Sequence, residues 1–136
     1  MSLFEQFAVI AERYLAVLSN RPVYPSEKNI QQLNQLIEPL QDEPIPADQV
    51  LNTLDEKGSP ATVTSTGGRY YGFVCGSSLP AAMAAKLLAS VWDQNAGMYV
   101  MSPIAALLEE ISSSWMIDLL GLSKQTSVGF VTGATM

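Results

Sequence analysis

The stretch that decides the fold is residues 102–122, SPIAALLEEISSSWMIDLLGL. Ser102 is a favoured helix N-cap residue, and Pro103 fits the first helical position, where the backbone N–H has no helical partner. Gly121 ends the pattern, because glycine readily adopts the left-handed conformation found after many helices. Apolar residues recur between these signals at spacings of three and four, which predicts a helix with a buried stripe of Ile104, Leu108, Ile111, Trp115 and Leu119.

Four further helices are predicted before this one, over residues 2–19, 27–38, 47–57 and 79–95. Ser2 and Glu5 have the spacing of a capping box. Gly58 is expected at the left-handed position that ends the third helix. The fourth helix has Pro80 in its first turn and is rich in alanine, so it is predicted to be buried on all sides. The apolar face of the first helix consists of Leu3, Phe7, Ile10, Tyr14 and Leu18.

The last residues of the chain have a different character. Residues 123–127 are predicted to form a turn and residues 128–132 a short strand. The small residues Gly133, Ala134 and Thr135 follow. A strand that leads through small residues into a helix can hold a phosphate, because backbone N–H groups and the helix N-terminus favour an anion. An ordinary turn is the alternative interpretation of the same residues.

Composition excludes several classes of function. The net charge is −6, with 7 basic residues scattered along the chain, which argues against nucleic acid as a partner. The sequence contains no histidine, so catalytic systems and zinc sites that need one are excluded within it. Cys75 is the single cysteine and is expected to be a small buried residue. No secretory signal is visible, and the longest apolar stretch, residues 79–92, contains Lys86 and is too short for a bilayer, so we expect a soluble, cytoplasmic protein without a membrane partner.

Six motifs follow one another from Gly68 onward: RYYGFV, SSLPAAMAA, WDQN, SP five residues before LE, W…DLLGL and GFVTGAT. In this order they resemble the group II pyridoxal-phosphate (PLP)-dependent decarboxylases, the relatives of the glutamate, aromatic-amino-acid and histidine decarboxylases. The resemblance covers about half of the chain, and the helices before it match only in general pattern.

The resemblance implies a fold class. The chain would be a mostly α fragment with a short C-terminal strand, forming the N-terminal arm and the start of the α/β PLP-dependent fold type I, the aspartate-aminotransferase-like architecture. Residues 1–58 would be the helical arm that mediates dimerisation. Residues 59–136 would be the truncated start of the PLP-binding domain.

The resemblance also implies site residues. Ala134 and Thr135 would bind the cofactor phosphate. Near the substrate pocket would lie Phe73, Val74 and Cys75, for which packing of a buried loop is the alternative. A loop that reaches toward the active site of the partner subunit would contain Asn95, Gly97, Met98 and Tyr99. A structural role is expected for Ser102, Leu108 and Glu109, and core packing for Tyr70, Tyr71, Trp92 and Trp115.

Two departures from the family pattern qualify these expectations. Gly67 and Gly68 stand where the family has a His-Pro pair, so the contact made by that histidine is in doubt. The Schiff-base lysine, the histidine stacked on the cofactor and the aspartate paired with the pyridine nitrogen lie downstream in the family. No Schiff-base motif surrounds Lys28, Lys57, Lys86 or Lys124. We therefore predict no catalytic residue and no metal ligand in this chain, and expect it to be inactive and without PLP when alone.

The parent protein implied by the resemblance is a cytoplasmic, homodimeric decarboxylase that acts on a small-molecule amino acid. The alternative is a stand-alone helical module for dimerisation or interaction, without catalysis. A small helical ligand-binding domain is a third possibility, but no convergent cluster of polar residues supports it.

Overall fold

The computed structural model describes residues 1–75 and 78–131, and the prediction of a mostly helical chain is confirmed over these residues. The chain divides into two bodies, Met1–Ser78 and Leu79–Met136. The second, C-terminal body contains α4 (Pro80–Trp92) and α5 (Pro103–Leu119). The first, N-terminal body contains α1 (Leu3–Ala16), α2 (Glu27–Gln32), a 3-10 turn (Leu33–Leu36), α3 (Ala47–Thr53), a π-helical turn (Leu54–Gly58) and a second 3-10 turn (Ser59–Ala61).

Helix α1 begins with the predicted capping box. The Ser2 hydroxyl accepts a hydrogen bond from the Glu5 backbone N–H at 3.2 Å, and the Glu5 carboxylate accepts one from the Ser2 N–H at 2.6 Å. These two bonds satisfy N–H groups that the helix itself leaves without partners. Four of the five residues predicted for its apolar face are half-buried, namely Phe7, Ile10, Tyr14 and Leu18, and Leu3 is exposed.

Gly58 is not the left-handed residue that the sequence predicts. Its φ is −82° and its ψ is −50°, which is right-handed helical backbone, and the chain continues through Ser59–Ala61. The helical path from α3 therefore changes from α to π to 3-10 geometry without a reversal. As a result, Ser59 and Pro60 remain close to the N-terminal helices, where their carbonyl oxygens accept hydrogen bonds.

Both predicted ends of α5 are confirmed. The Ser102 hydroxyl accepts from the Ala105 N–H at 3.3 Å, and Pro103 occupies the first turn. At the other end Gly121 has φ +63°. The Gly121 N–H donates to the Asp118 backbone carbonyl oxygen at 3.1 Å, and the Leu122 N–H donates to that of Ile117 at 3.0 Å. This pair of bonds defines a Schellman motif.

The burial predicted for α4 and α5 is wrong within this chain. Neither helix contains a buried residue, although the prediction placed α4 in a core on all sides. Helix α4 also ends at Trp92 rather than at residue 95, because Asp93 adopts the left-handed conformation with φ +49°. The predicted stripe on α5 is exposed except for the half-buried Ile111, and Trp115 is 72% exposed.

No large apolar side chain is buried anywhere in the described part of the chain. The buried residues there are Gln6, Pro25, Thr64 and Ser102, three of them polar. Tyr71 and Trp92 are exposed and Tyr70 is half-buried, so the core packing predicted for the aromatic residues does not occur within this chain. The apolar surfaces of α4 and α5 are therefore open, whereas the apolar face of α1 is partly covered.

The predicted C-terminal strand is also absent from the described residues. Residues 128–131 are irregular, and residue 132 lies outside the described range. A strand exists only through a hydrogen-bond ladder with a neighbour, and the described residues provide none. The preceding turn is present, with the Thr126 N–H donating to the Ser123 carbonyl oxygen at 2.9 Å. No described helix is both long and apolar enough to cross a bilayer.

Candidate functional site

The segment predicted to lie near a substrate forms a tight turn. The Cys75 N–H donates to the Gly72 carbonyl oxygen at 3.2 Å, closing a four-residue turn. Phe73 and Val74 occupy its two central positions with φ of +53° and +57°. Positive φ at both central residues is the mark of a type I′ turn, which asparagine and glycine normally occupy. Val74 is β-branched, so its conformation is strained.

This turn presents its side chains to solvent. Phe73 is 93% exposed and Val74 is fully exposed. Cys75 is exposed as well, so its expected burial is wrong, as is the alternative interpretation of these residues as a buried loop. Its thiol lies 3.7 Å from the Phe73 carbonyl oxygen, which is a weak contact. The turn therefore presents two exposed apolar side chains and an exposed free thiol.

Gly67 and Gly68 precede this turn. The Gly67 N–H donates to the carbonyl oxygen of the buried Thr64 at 3.1 Å. A Cβ atom at residue 67 would lie 3.0 Å from Thr64 Cγ2 and 3.2 Å from that oxygen. A larger residue at position 67 would thus need Thr64 to move.

The segment predicted to reach a partner subunit is the loop between α4 and α5. The Asn95 side-chain oxygen accepts from the Gly97 N–H at 2.9 Å. The Met98 carbonyl oxygen accepts from Met101 at 3.0 Å and from Ser102 at 3.2 Å. These bonds connect the loop to the N-cap of α5. Asn95, Gly97, Met98 and Tyr99 are all exposed.

The predicted phosphate-binding residues, Ala134 and Thr135, lie outside the described residues. The Phe73 turn belongs to the N-terminal body and the Asn95 loop to the C-terminal body. Ser102 is fully buried with its hydroxyl on the helix, as its expected structural role requires, whereas Leu108 and Glu109 are exposed on α5.

A groove of about 1040 Å³ lies between α5 and residues 121–130, and we call it the α5 groove. Glu109, Glu110, Asp118 and Lys124 contribute charged side chains to it, and Ile117 and Phe130 contribute apolar surface. No group of three His, Cys, Asp or Glu residues could hold a metal ion among the residues described. The groove thus combines charge and apolar surface without a recognisable catalytic set.

The N-terminal body also contains a polar cluster that no sequence pattern predicted. We call it the Arg21 cluster, and it consists of Tyr14, Arg21, Ser59 and Thr62. Arg21 Nη2 donates to the Ser59 carbonyl oxygen at 2.6 Å and to Thr62 Oγ1 at 3.2 Å. Its guanidinium carbon lies 4.7 Å from the centroid of the Tyr14 ring, within cation–π range. The Tyr14 hydroxyl lies 2.7 Å from Thr62 Oγ1. No local sequence pattern encodes contacts of this separation.

The Arg21 cluster joins the loop after α1 to the segment that follows α3. Arg21 Nε is buried and has no hydrogen-bond partner among the described atoms, although a cavity of about 170 Å³ lies beside the side chain. Arg69 extends the cluster by donating to the carbonyl oxygens of Ser19, at 2.9 Å, and Arg21.

The described residues do not by themselves fit PLP. A Schiff-base lysine is normally activated in a desolvated pocket. Lys28, Lys86 and Lys124 are exposed, and Lys57 donates to the Gln35 side-chain oxygen. The sequence has no histidine to stack on the cofactor ring.

No protein-family model, curated protein or solved structure matches the chain.

Proposed function

We propose that this chain is the N-terminal part of a PLP-dependent amino-acid decarboxylase. The observation that carries the proposal is the series of six motifs from RYYGFV to GFVTGAT, in the order of the family. Single motifs of this kind have little specificity, but six in register are far harder to obtain by chance. The enzyme would be a cytoplasmic homodimer with an α/β fold of PLP-dependent fold type I.

The exposed apolar surface supports this proposal. The chain exposes 11154 Å² to solvent. Two separately folded bodies of these lengths would expose together only about 8,000 Å², by the scaling of surface with mass in folded proteins. The excess, about 3,000 Å², is of the size buried in obligate interfaces. Such a surface is expected of helices that are covered by other parts of a larger protein.

The proposal gives each candidate segment a role in the complete enzyme. Ala134 and Thr135 would hold the cofactor phosphate through backbone N–H groups and a hydroxyl. The Phe73 turn would line the substrate pocket, and the loop that contains Asn95 and Tyr99 would reach the active site of the second subunit. PLP would supply the electron sink for the carbanion left by decarboxylation. The chain alone would be inactive, since the described residues do not fit the cofactor.

The first experiment is to sequence the native reading frame beyond codon 136 and to assay its full product. Carbon dioxide release from glutamate, histidine and aromatic amino acids would be measured with PLP present and after its removal. We expect a frame that continues into a helix and later encodes a His-Lys pair, and a product with PLP-dependent release. The 136-residue chain is the control and should release none. A frame that stops at Met136, or a full product without activity on any amino acid tested, would overturn the proposal.

The second candidate is a stand-alone helical module that dimerises without catalysis. The exposed stripe of α5, with Leu108 and Trp115, favours it, because large exposed apolar patches mark interaction surfaces. The reading frame separates the two candidates: the module requires the frame to stop at Met136 and the 136-residue chain to form a defined dimer in sedimentation.

A further inference from the structure

The loop between α2 and α3 forms a concave surface that none of the proposed chemistry uses. Residues 38–46 and Gln49 line a depression of about 620 Å³, which we call the acidic groove. Pro39, Pro44 and Pro46 lie along it, and proline restricts φ to a narrow range. The loop is therefore preorganised, which lowers the entropy lost on binding.

The acidic groove combines uncovered apolar side chains with uncompensated negative charge. Leu40 is completely exposed, and Ile45 is exposed beside it. Glu38, Asp42 and Glu43 are exposed on the same loop, and the Gln41 side chain donates to Glu38 at 3.0 Å. No lysine or arginine occurs in residues 29–56.

The charges of the rest of the N-terminal body do not compensate for this. Within the described ranges, the one ion pair joins Arg13 to Asp55, away from the groove. Arg21 and Arg69 donate to backbone carbonyl oxygens, and Lys57 donates to Gln35. The residues that line the groove include no lysine or arginine, so its carboxylates have no basic partner within the lining.

We propose that the acidic groove binds a cationic amphipathic peptide segment of a partner protein, in which large apolar residues recur three and four positions apart among lysines or arginines. Apolar residues of that segment would cover Leu40 and Ile45, and its basic residues would face the three carboxylates. A second copy of this chain offers the groove no cationic segment, since its 7 lysines and arginines are scattered along the sequence. The proposal is independent of PLP chemistry, because it concerns a different loop.

The test measures peptide binding to the complete 136-residue chain by fluorescence anisotropy. The probe is a labelled 14-residue peptide of lysine and leucine with leucines three and four residues apart. Two control peptides keep the pattern, one with glutamate for lysine and one with serine for leucine. The protein variants are Asp42→Asn/Glu43→Gln and Leu40→Ser, all at exposed positions where folding should be unaffected. The matched control is Glu109→Gln/Glu110→Gln, which removes the same charge from the C-terminal body.

We expect the lysine–leucine peptide to bind and both control peptides to fail. Asp42→Asn/Glu43→Gln should weaken binding about five- to tenfold at low salt, and Leu40→Ser about tenfold, whereas the matched control should leave it unchanged. The proposal is overturned by absence of binding, by equal binding of either control peptide, or by equal effects of the two charge-removing variants. It is also overturned if sedimentation shows that the chain is a dimer and that Leu40→Ser dissociates it, because the occupant of the groove is then a second copy.

Discussion

The two bodies of the chain are held together in different ways. In the N-terminal body, side-chain hydrogen bonds join residues far apart in sequence. Gln6 donates to Asn52 at 2.6 Å, Asn29 to Pro60 at 3.1 Å, and Thr64 to Pro22 at 2.9 Å. In the C-terminal body, every side-chain hydrogen bond among the described residues joins positions at most four apart.

This difference shows how much of its own tertiary structure each body determines without a partner. Local caps define where α4 and α5 begin and end, but they do not define what the helices pack against. The N-terminal body has tertiary contacts of its own, although they are polar. Since buried polar groups contribute stability only while their partners are in place, that body should respond sharply to loss of a single partner.

The largest effect is expected for Arg21→Ala. The substitution removes the bonds to Ser59 and Thr62 and the contact with the Tyr14 ring, and should cost about 2–3 kcal/mol. Hydrogen exchange followed by mass spectrometry on the whole chain should show faster exchange in α1 and around Thr64. Exchange in α5 should not change, and a uniform increase along the chain would contradict the separation of the two bodies.

Arg21→Lys is the matched control for that experiment. Lysine retains the positive charge and can still lie over the Tyr14 ring, but it lacks the planar fork that donates to two oxygens. We expect about half of the effect of Arg21→Ala. An effect as large as that of alanine would show that the two hydrogen bonds, rather than the cation–π contact, stabilise the cluster.

The second prediction concerns a substitution that should stabilise the N-terminal body and leave the C-terminal body unchanged. Phe73→Asn/Val74→Gly gives the strained turn the pair of residues that a type I′ turn prefers. The relief of strain should be worth about 1–2 kcal/mol and should slow exchange of the Cys75 amide. In a full-length decarboxylase the same change should lower kcat/KM, since it removes two side chains from the proposed substrate pocket. Gly72→Ala at the preceding position should not slow exchange of Cys75.

The fold was predictable where the signal is local and not where it depends on partners. The capping box at Ser2 and the end of α5 at Gly121 were predicted, because a few neighbouring residues determine them. The Arg21 cluster was not, because its partners lie about forty residues away. The predicted burial of α5 and the predicted strand after it were wrong for a related reason. Periodicity shows that a face is apolar, but it does not show that another element covers that face.

For the candidate site, the local conformation and exposure of the two predicted segments did not follow from the sequence. Asn95 and Tyr99 lie in a structured loop, and Phe73 lies in a turn, but the expected burial of Cys75 is wrong. A buried cysteine requires a surrounding core, and the described residues have none. Ala134 and Thr135 lie outside the described residues, so their role stays a prediction.

The third prediction compares two glycines, one in each body. Gly121→Ala forces a side chain into the left-handed conformation and should destabilise the end of α5 by about 1 kcal/mol. Gly58→Ala should have the opposite sign, stabilising by about 0.4–1 kcal/mol, because its backbone is helical and a Cβ there meets no atom within 4 Å. Far-UV circular dichroism during urea unfolding would measure both. If Gly58→Ala also destabilises, the left-handed end predicted from sequence is correct and the continuous helical path is not.

The smallest effect is expected for Arg13→Ala, which tests whether distance in sequence alone makes a contact strong. Arg13 reaches Asp55 across 42 positions, a separation similar to that of the Arg21 contacts, but its side chain is 62% exposed, against 15% for that of Asp55. Exposed ion pairs contribute less than about 1 kcal/mol, and salt screens them. Hydrogen exchange in α1 should therefore increase only slightly at low salt, and the difference from the unmodified chain should vanish at high salt. An effect equal to that of Arg21→Ala would mean that the N-terminal body depends on each of its long-range contacts, exposed or not.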